Sequence, residues 1–513
     1  MDWLNALDFE QALSNVRKDL VGDWYKDPWN WPEYDSLSQD DWSILVRRAR
    51  AEGVRRVSQI DVPKENFAIR PAMIMEAVDR VLYQALADRQ SKSLIGSLNT
   101  WVFGWRLPRS EPSAGRYSPN RTEWGLYRSA LSDFVIFNDV GLKTDIVSCF
   151  ASISIERVIE DIERVAGGNE VTGRLSDMLE AFDGIPGRRG LPQRSKASAT
   201  LANMYLQRID RVLREHELTH PSTGMFSVLS ASGGVTRWMD DLWIFGSDHG
   251  DLRSVQLDVQ KAARDAGLEM NMGKTEVLDG EELQNVALSI QHSAVDDALD
   301  DDDPDFAPLE ELIDKIVADP ERADRTSIHF ALTRMRDQKL VTRQEELIET
   351  AHRMPHAADH LARAFRDLKL WRELQDWYLE YYRGPWSIEW SVASLGAMFP
   401  SRGGVRDDIH EAMADFLMSG PSLPLFALAA QRLASWDAEK AREVIRAVLP
   451  HADHPHERRV LGLAALLASD ERQFIREILR EYEENAVTLR VIERRKFRPI
   501  KPAPDFGADT IRE

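Results

Sequence analysis

Two adjacent aspartates, Asp240 and Asp241, stand between Val235-Thr236-Arg237-Trp238-Met239 and the apolar run Leu242-Trp243-Ile244-Phe245. The pattern predicts two short β-strands joined by a tight turn, with the acidic pair at its tip. Neighbouring carboxylates repel each other, and a hard divalent cation that takes oxygen ligands relieves the repulsion. A third carboxylate, Asp145, falls at the end of a predicted strand within 140–147; Ser148-Cys149-Phe150 then lead toward an amphipathic helix over 155–165. An aspartate at a strand end can face the same cavity as a hairpin tip. Three carboxylates so placed can hold two Mg²⁺ ions, one acidifying a 3′-hydroxyl and the other stabilising a pyrophosphate leaving group. Taken singly, an Asp-Asp pair is an ordinary solvated turn and Asp145 an ordinary helix N-cap.

Between these elements lies Gly184-Ile185-Pro186-Gly187-Arg188-Arg189-Gly190-Leu191-Pro192-Gln193, a loop that runs into a predicted helix over 195–214. Such a loop lets backbone approach a nucleotide or template, and Arg188, Arg189, Arg194 and Lys196 offer charge to phosphates. An exposed turn with a helix start is the plainer alternative. Downstream, Asn271-Met272-Gly273-Lys274-Thr275 follows a predicted helix over 251–266. Lys274 there could neutralise or protonate a departing pyrophosphate, although a lone lysine is more often plain surface.

Asp145 with Phe150, then Leu-Pro-Gln and a helix, then Met-Asp-Asp, then Asn-x-x-Lys-Thr: in this order the chain resembles the reverse transcriptase family across its palm motifs. Arg70-Pro71, with Ile74, Asp79 and Leu82, resembles the fingers segment in which an arginine contacts the incoming triphosphate. The resemblance covers residues 60–280. It implies an α+β fingers-palm domain and a Mg²⁺-dependent, RNA-directed DNA polymerase that adds deoxynucleotides to a 3′-hydroxyl. By that resemblance Asp145 and Asp240 bind two metal ions and Asp241 supports them. Phe150 matches the steric gate, a rigid ring that leaves no room for a sugar 2′-hydroxyl. Gln193 matches the residue touching the incoming nucleotide, and Arg70 and Lys274 match groups near its triphosphate. Two positions depart from the pattern. Trp238 stands where tyrosine or a small residue usually precedes Met-Asp-Asp, and Arg194 replaces the usual glycine after Leu-Pro-Gln.

At 513 residues the chain is too long for one compact domain, and its 43% hydrophobic content supports large cores. No stretch reaches the apolar length of a membrane span, and Met1-Asp2-Trp3 lacks the cationic start of a signal peptide, so a cytoplasmic protein is expected. The single cysteine, Cys149, excludes an internal disulfide and any zinc site built on several cysteines. A net charge of −20 argues against broad non-specific binding of nucleic acid, while a local basic groove would suffice for a polymerase. Candidate pieces are Arg106, Arg109, Arg116 and Arg121, the 188–196 cluster, and the basic run over 494–501.

Residues 1–60 form an aromatic-rich extension with Trp3, Trp24, Tyr25, Trp29, Trp31, Tyr34 and Trp42. Packing onto the catalytic domain is the favoured role, with base stacking as the alternative. Fingers and palm are expected over 61–290. An aspartate-rich run over 291–307 reads as a solvated linker. Residues 308–513 read as helical repeats, with helices over 309–318, 343–353, 357–370, 407–418 and 438–448, of the kind stacked in HEAT-like solenoids. In this region Trp371, Trp377, Tyr378, Tyr381, Tyr382, Trp386 and Trp390 should be mostly core. A palm followed by a helical half in place of a thumb looks most like the bacterial abortive-infection and defence-associated reverse transcriptases. That likeness implies as options untemplated synthesis primed from a protein hydroxyl, a bound non-coding RNA template, and a homo-oligomer. A retron- or intron-type enzyme copying a defined RNA, and a catalytically silent nucleic-acid-binding scaffold, are the alternatives.

Overall fold

The run Leu242-Trp243-Ile244-Phe245 divides its side chains between two faces of a strand, and that alternation organises the centre of the molecule. The computed structural model describes residues 3–37, 42–50, 56–187, 189–216, 233–288, 290–299, 305–340 and 343–503. Its main sheet contains β3 (Val102–Phe103), β4 (Val140–Thr144), β5 (Gly233–Trp238), β6 (Asp241–Gly246) and β7 (Glu276–Asp279), in the order β3-β5-β6-β4-β7. Only β3 and β5 run parallel; the other pairs are antiparallel. Leu142, Val235, Leu242 and Ile244 pack on the face covered by the helices Ala77–Ile95 and Lys196–Glu215. Trp243 and Phe245 pack on the opposite face with Tyr127 and Phe134 of the helix Asn120–Phe137.

A separate antiparallel hairpin, β1 (Val57–Pro63) and β2 (Ile69–Met75), leads into the helix Ala77–Ile95. From residue 307 to 494 the described chain is helical. The helices Arg325–Gln338, Ala358–Asp367, Glu389–Gly396, Leu423–Trp436 and Pro455–Leu467 pack successively on one another as one row. Gln375–Arg383, Asp407–Ser419 and Ala438–Val448 form a second row. The first row docks on β1. Ser58 Oγ lies 2.8 Å from His456 Nδ1, the Asn66 N–H donates to the Glu321 carbonyl at 2.8 Å, and the Phe67 and Trp386 rings lie 5.4 Å apart.

Two sequence-based expectations meet a different arrangement, and a third, the burial of the late aromatics, holds in the main. The aromatic extension packs on the helical half as well as on the catalytic domain. Trp24, Trp29, Trp31 and Tyr34 share one core with the C-terminal helices, and the Trp390 Nε1–H donates to the Trp24 carbonyl at 2.8 Å. Arg459 makes paired hydrogen bonds to Asp27 at 3.0 and 2.8 Å and to Glu33 at 2.7 and 2.9 Å. The expected linker begins inside a helix, Ile290–Leu299, because Val295 and Leu299 recur at helical spacing and are buried. Asp300 to Asp303 lie outside the described residues, as does Trp42's side chain. Among the late aromatics Tyr378, Tyr381 and Trp390 are core, whereas Trp386 is exposed. No helix among the described residues is long and apolar enough to cross a membrane.

Candidate active site

Met239 and Asp240 are the two central residues of the β5–β6 turn, with Trp238 paired to Asp241. Met239 has φ of 55°, a left-handed conformation that suits a two-residue hairpin turn but strains a side chain larger than glycine's. The β4–β6 register pairs Thr144 with Leu242, so Asp145, the next residue along, lies beside Asp241. The chain then crosses to the Lys274 turn: the Asn271 N–H donates to the Asp145 carbonyl at 2.8 Å, and the Val147 N–H to the Glu269 carbonyl at 2.8 Å. Lys274 Nζ stands 3.7 Å from Asp145 Oδ2 on a largely exposed side chain. Asp145 Oδ1 is buried and has no hydrogen-bond partner among the described residues.

The electrostatics are those of an acidic cluster short of positive charge. Burial first, then Asp241 and Asp145, push the Asp240 carboxyl up to about 6, against the pull of Arg70. Desolvation and Asp145 raise Asp241, opposed by Lys274 and Lys143. Burial, then Asp240 and Asp145, push the Cys149 thiol well above its usual range, which keeps it a buried thiol rather than a nucleophile. The three aspartates do not form one tight ligand set. Among the described residues only Glu76, His454 and His456 bring ligand atoms within 4.8 Å of one another. In that group, where β2 meets the helical half, Glu76 and His456 are buried and His454 half-buried, with His456 Nε2 3.2 Å from Glu76 Oε1.

The loop that carries Gln193 is fastened to the Phe150 segment. The Leu191 N–H donates to the Phe150 carbonyl at 2.8 Å. Gly190, at φ 69°, lies so close that an added Cβ would sit 2.2 Å from that same oxygen. Gln193 is half-buried beyond it, and Arg194 adopts φ of 58°. A left-handed residue here explains physically why glycine would be easier at this position. Ser148, at φ 47°, is a third left-handed non-glycine residue, so strain recurs in three loops of one site. Trp238 turns its ring into an aromatic group, 5.6 Å from Trp105, 5.0 Å from Trp124 and 5.7 Å from Tyr127. Arg70, on β2, lies close enough to Asp240 to lower its pKa.

Some proposed basic contacts serve the fold instead. Arg106 is buried and donates to the carbonyls of Asn99 and Val102. Arg109 pairs with Glu123 at 2.8 Å, and Lys196 with Asp19 at 2.5 Å. Charge pattern alone cannot separate such internal pairs from a phosphate contact. Arg189 is exposed, and Arg188 lies outside the described residues.

Sequence reasoning also missed the support beneath the turn. Arg237 is almost wholly buried, forks onto Asp210 at 2.9 and 2.7 Å, and donates to Asn203 Oδ1 at 3.1 Å and to the Met239 carbonyl at 2.8 Å. Asn203 and Asp210 sit seven residues apart on the buried face of the helix Lys196–Glu215. Two polar residues on an apolar helix face, with an arginine inside a strand, were the available signal.

Residues 62–293 match the model of the family described as reverse transcriptase (RNA-dependent DNA polymerase). No curated protein matches the chain. These residues form a reverse transcriptase domain, and the activity they support is that of an RNA-directed DNA polymerase, a nucleotidyltransferase. Such domains bind nucleotides and nucleic acids and generally use divalent metal ions, typically Mg²⁺. The partnerless Asp145 oxygen and the raised Asp240 carboxyl fit a cation held there.

Proposed function

We propose that this chain is a Mg²⁺-dependent DNA polymerase that extends a 3′-hydroxyl or a protein hydroxyl with deoxynucleotides, in bacterial anti-phage defence. The observation that carries the chemistry is the strand register that sets Asp145 beside Asp241 while an Asp145 oxygen stays unpartnered. Asp145, Asp240 and Asp241 would hold the two ions, which when bound acidify the attacking hydroxyl and neutralise the pyrophosphate. Phe150 excludes the ribose 2′-hydroxyl, Gln193 positions the nucleotide, and Arg70 and Lys274 bind the triphosphate. Residues 61–290 are the fingers and palm on this reading. The two helical rows over 308–513 are a HEAT-like stack in place of a thumb, which is what supports the defence assignment and a cytoplasmic, oligomeric enzyme.

The test incubates purified protein with Mg²⁺ and labelled deoxynucleotides, without template or primer, and resolves products on a denaturing gel with and without protease. Product released only by protease would establish protein priming. Product abolished by prior RNase treatment would point instead to a retron- or intron-like enzyme copying a bound RNA. Incorporation by Asp240→Asn equal to that of the parent protein, or no product even with added primer and template, would leave the silent scaffold as the better account.

A further inference from the structure

Beside the acidic turn lies a second cluster of opposite sign, drawn from four parts of the chain. The Trp24 ring of the N-terminal extension has three guanidinium groups around it. Arg194 from the Leu-Pro-Gln loop lies 4.0 Å from its centroid, Arg70 from β2 lies 5.0 Å away, and Arg325 from the helical half lies 5.6 Å away. Arg325 also lies 5.9 Å from the Trp390 ring, and Trp390 meets Trp24 edge-on at 6.4 Å. Cation–π attraction holds a guanidinium over an aromatic face, but a ring has two faces and these three cations repel one another.

The partners divide unevenly. Arg325 is fixed by Asp359 at 2.6 Å and by the His356 carbonyl. Neither Arg70 nor Arg194 has an ion-pair partner among the described residues. The carboxylates that act on Arg194, Asp23 and Asp359, already pair with Arg80 and Arg325. Burial, then Arg70 and Arg325, pull the Arg194 guanidinium down to about 10, and burial and Arg325 lower Arg70 despite Glu65 and Asp240. Lys26, on the same segment as Trp24, is lowered by desolvation and by Arg194 and Arg325, against Asp23 and Asp359. Trp24 Nε1–H, buried at the centre, finds no acceptor among the described residues. The place therefore has a surplus of donors and of positive charge, and its missing component is an anion rich in acceptor oxygens.

We infer that Arg70, Arg194 and Arg325 together bind a phosphate group against Trp24, so that the helical half supplies part of the substrate site. The Arg194 loop ties this pocket to the acidic turn, since the Leu191 N–H donates to the Phe150 carbonyl at 2.8 Å on the segment that follows Asp145. The phosphate belongs to the nucleotide tail or to a nucleic-acid strand; which of these it is rests on the polymerase reading, whereas the pocket itself does not.

The test uses the full chain with Arg194→Gln, which removes a group with no ion pair among the described residues, and Arg325→Gln, which also breaks the Asp359 pair. Binding of inorganic tripolyphosphate and of a labelled single-stranded oligonucleotide is measured directly, and the KM for deoxynucleotides is measured wherever the parent protein incorporates them. A loss of about tenfold in tripolyphosphate affinity, with a matching rise in KM, is expected of Arg194→Gln if the ligand is the nucleotide tail. The same loss confined to the oligonucleotide, with a shallower salt dependence, would assign the pocket to a strand. A parent protein that incorporates nothing yet binds tripolyphosphate through Arg194 would retire the polymerase reading and keep the pocket. Affinities for both probes unchanged within about twofold in both variants would overturn the inference.

Discussion

Asp210 and Asp240 are joined through one side chain, since Arg237 forks onto Asp210 and also holds the carbonyl of Met239, the neighbour of Asp240. Their circumstances are opposite. Asp210 is wholly buried and its charge is met by a bidentate guanidinium. Asp240 faces Asp241 and Asp145, and the cation that acts on it, Arg70, stands over Trp24 instead. The Asp27–Glu33–Arg459 knot follows the Asp210 pattern, with each carboxylate hydrogen-bonded to the buried arginine. At these architectural carboxylates the chain supplies a matched cation. At the acidic turn the carboxylates are left short of positive charge, and a cation from outside the chain would meet it there. That contrast separates support from chemistry more sharply than burial does, because Asp210 is the more deeply buried of the two.

Breaking the paired side should have the largest effect. Arg237→Met strands Asp210 as an unpaired buried charge and should cost about 3–5 kcal/mol in urea unfolding. Combining it with Asp210→Leu should restore most of that stability but not synthesis, because the Met239 carbonyl still lacks its donor. Equal recovery of stability and synthesis would mean that Arg237 does not position the turn.

An intermediate case sharpens the comparison. Asp88 is buried and accepts hydrogen bonds from Gln84 at 2.7 Å, Asn15 at 2.9 Å and Tyr117 at 3.0 Å, but has no cation among the described residues. Burial pushes its carboxyl up to about 7 despite those bonds. A carboxyl whose folded pKa lies above its unfolded value binds more protons when folded, so it destabilises progressively as pH rises from about 4 to about 7. Asp88→Asn should remove that slope, shrinking the stability difference between pH 5 and pH 8 by on the order of 2 kcal/mol. An unchanged difference would mean that the neutral donors suffice.

The smallest stability effect belongs to the unpaired side. In the presence of a chelator, Asp240→Asn should stabilise the fold by on the order of 1 kcal/mol, since it removes a repelled charge. Adding Mg²⁺ should raise the melting temperature of the parent protein and leave that of the variant nearly unmoved. A destabilised variant, or equal Mg²⁺ responses, would contradict the contrast.

The sequence made some of this legible and hid the rest for physical reasons. The turn around Asp240 and the strand before Asp145 are local, so alternation and turn chemistry reveal them, and the helices Asp407–Ser419 and Ala438–Val448 follow from apolar periodicity. The role of the aromatic extension is not local. Glu33 meets Arg459 and Thr488 from more than four hundred positions away, and no periodicity encodes such a partner. Lys196 and Arg106 look like phosphate ligands in a one-dimensional reading because a cation and its internal partner are separated along the chain. The aspartate-rich run conceals the helix Ile290–Leu299, whose buried Val295 and Leu299 and whose Asp296–Arg334 pair at 2.7 Å a charge count does not reveal.

The hairpin of β1 and β2 bears on closure over a nucleotide. Its base touches His456, its tip shares a backbone hydrogen bond with Glu321, and Phe67 rests on Trp386. A hairpin anchored at base and tip to a body of nearly two hundred residues does not swing alone. Any closure of this hairpin over a nucleotide would carry the helical half with it, as a large lever rather than a small flap.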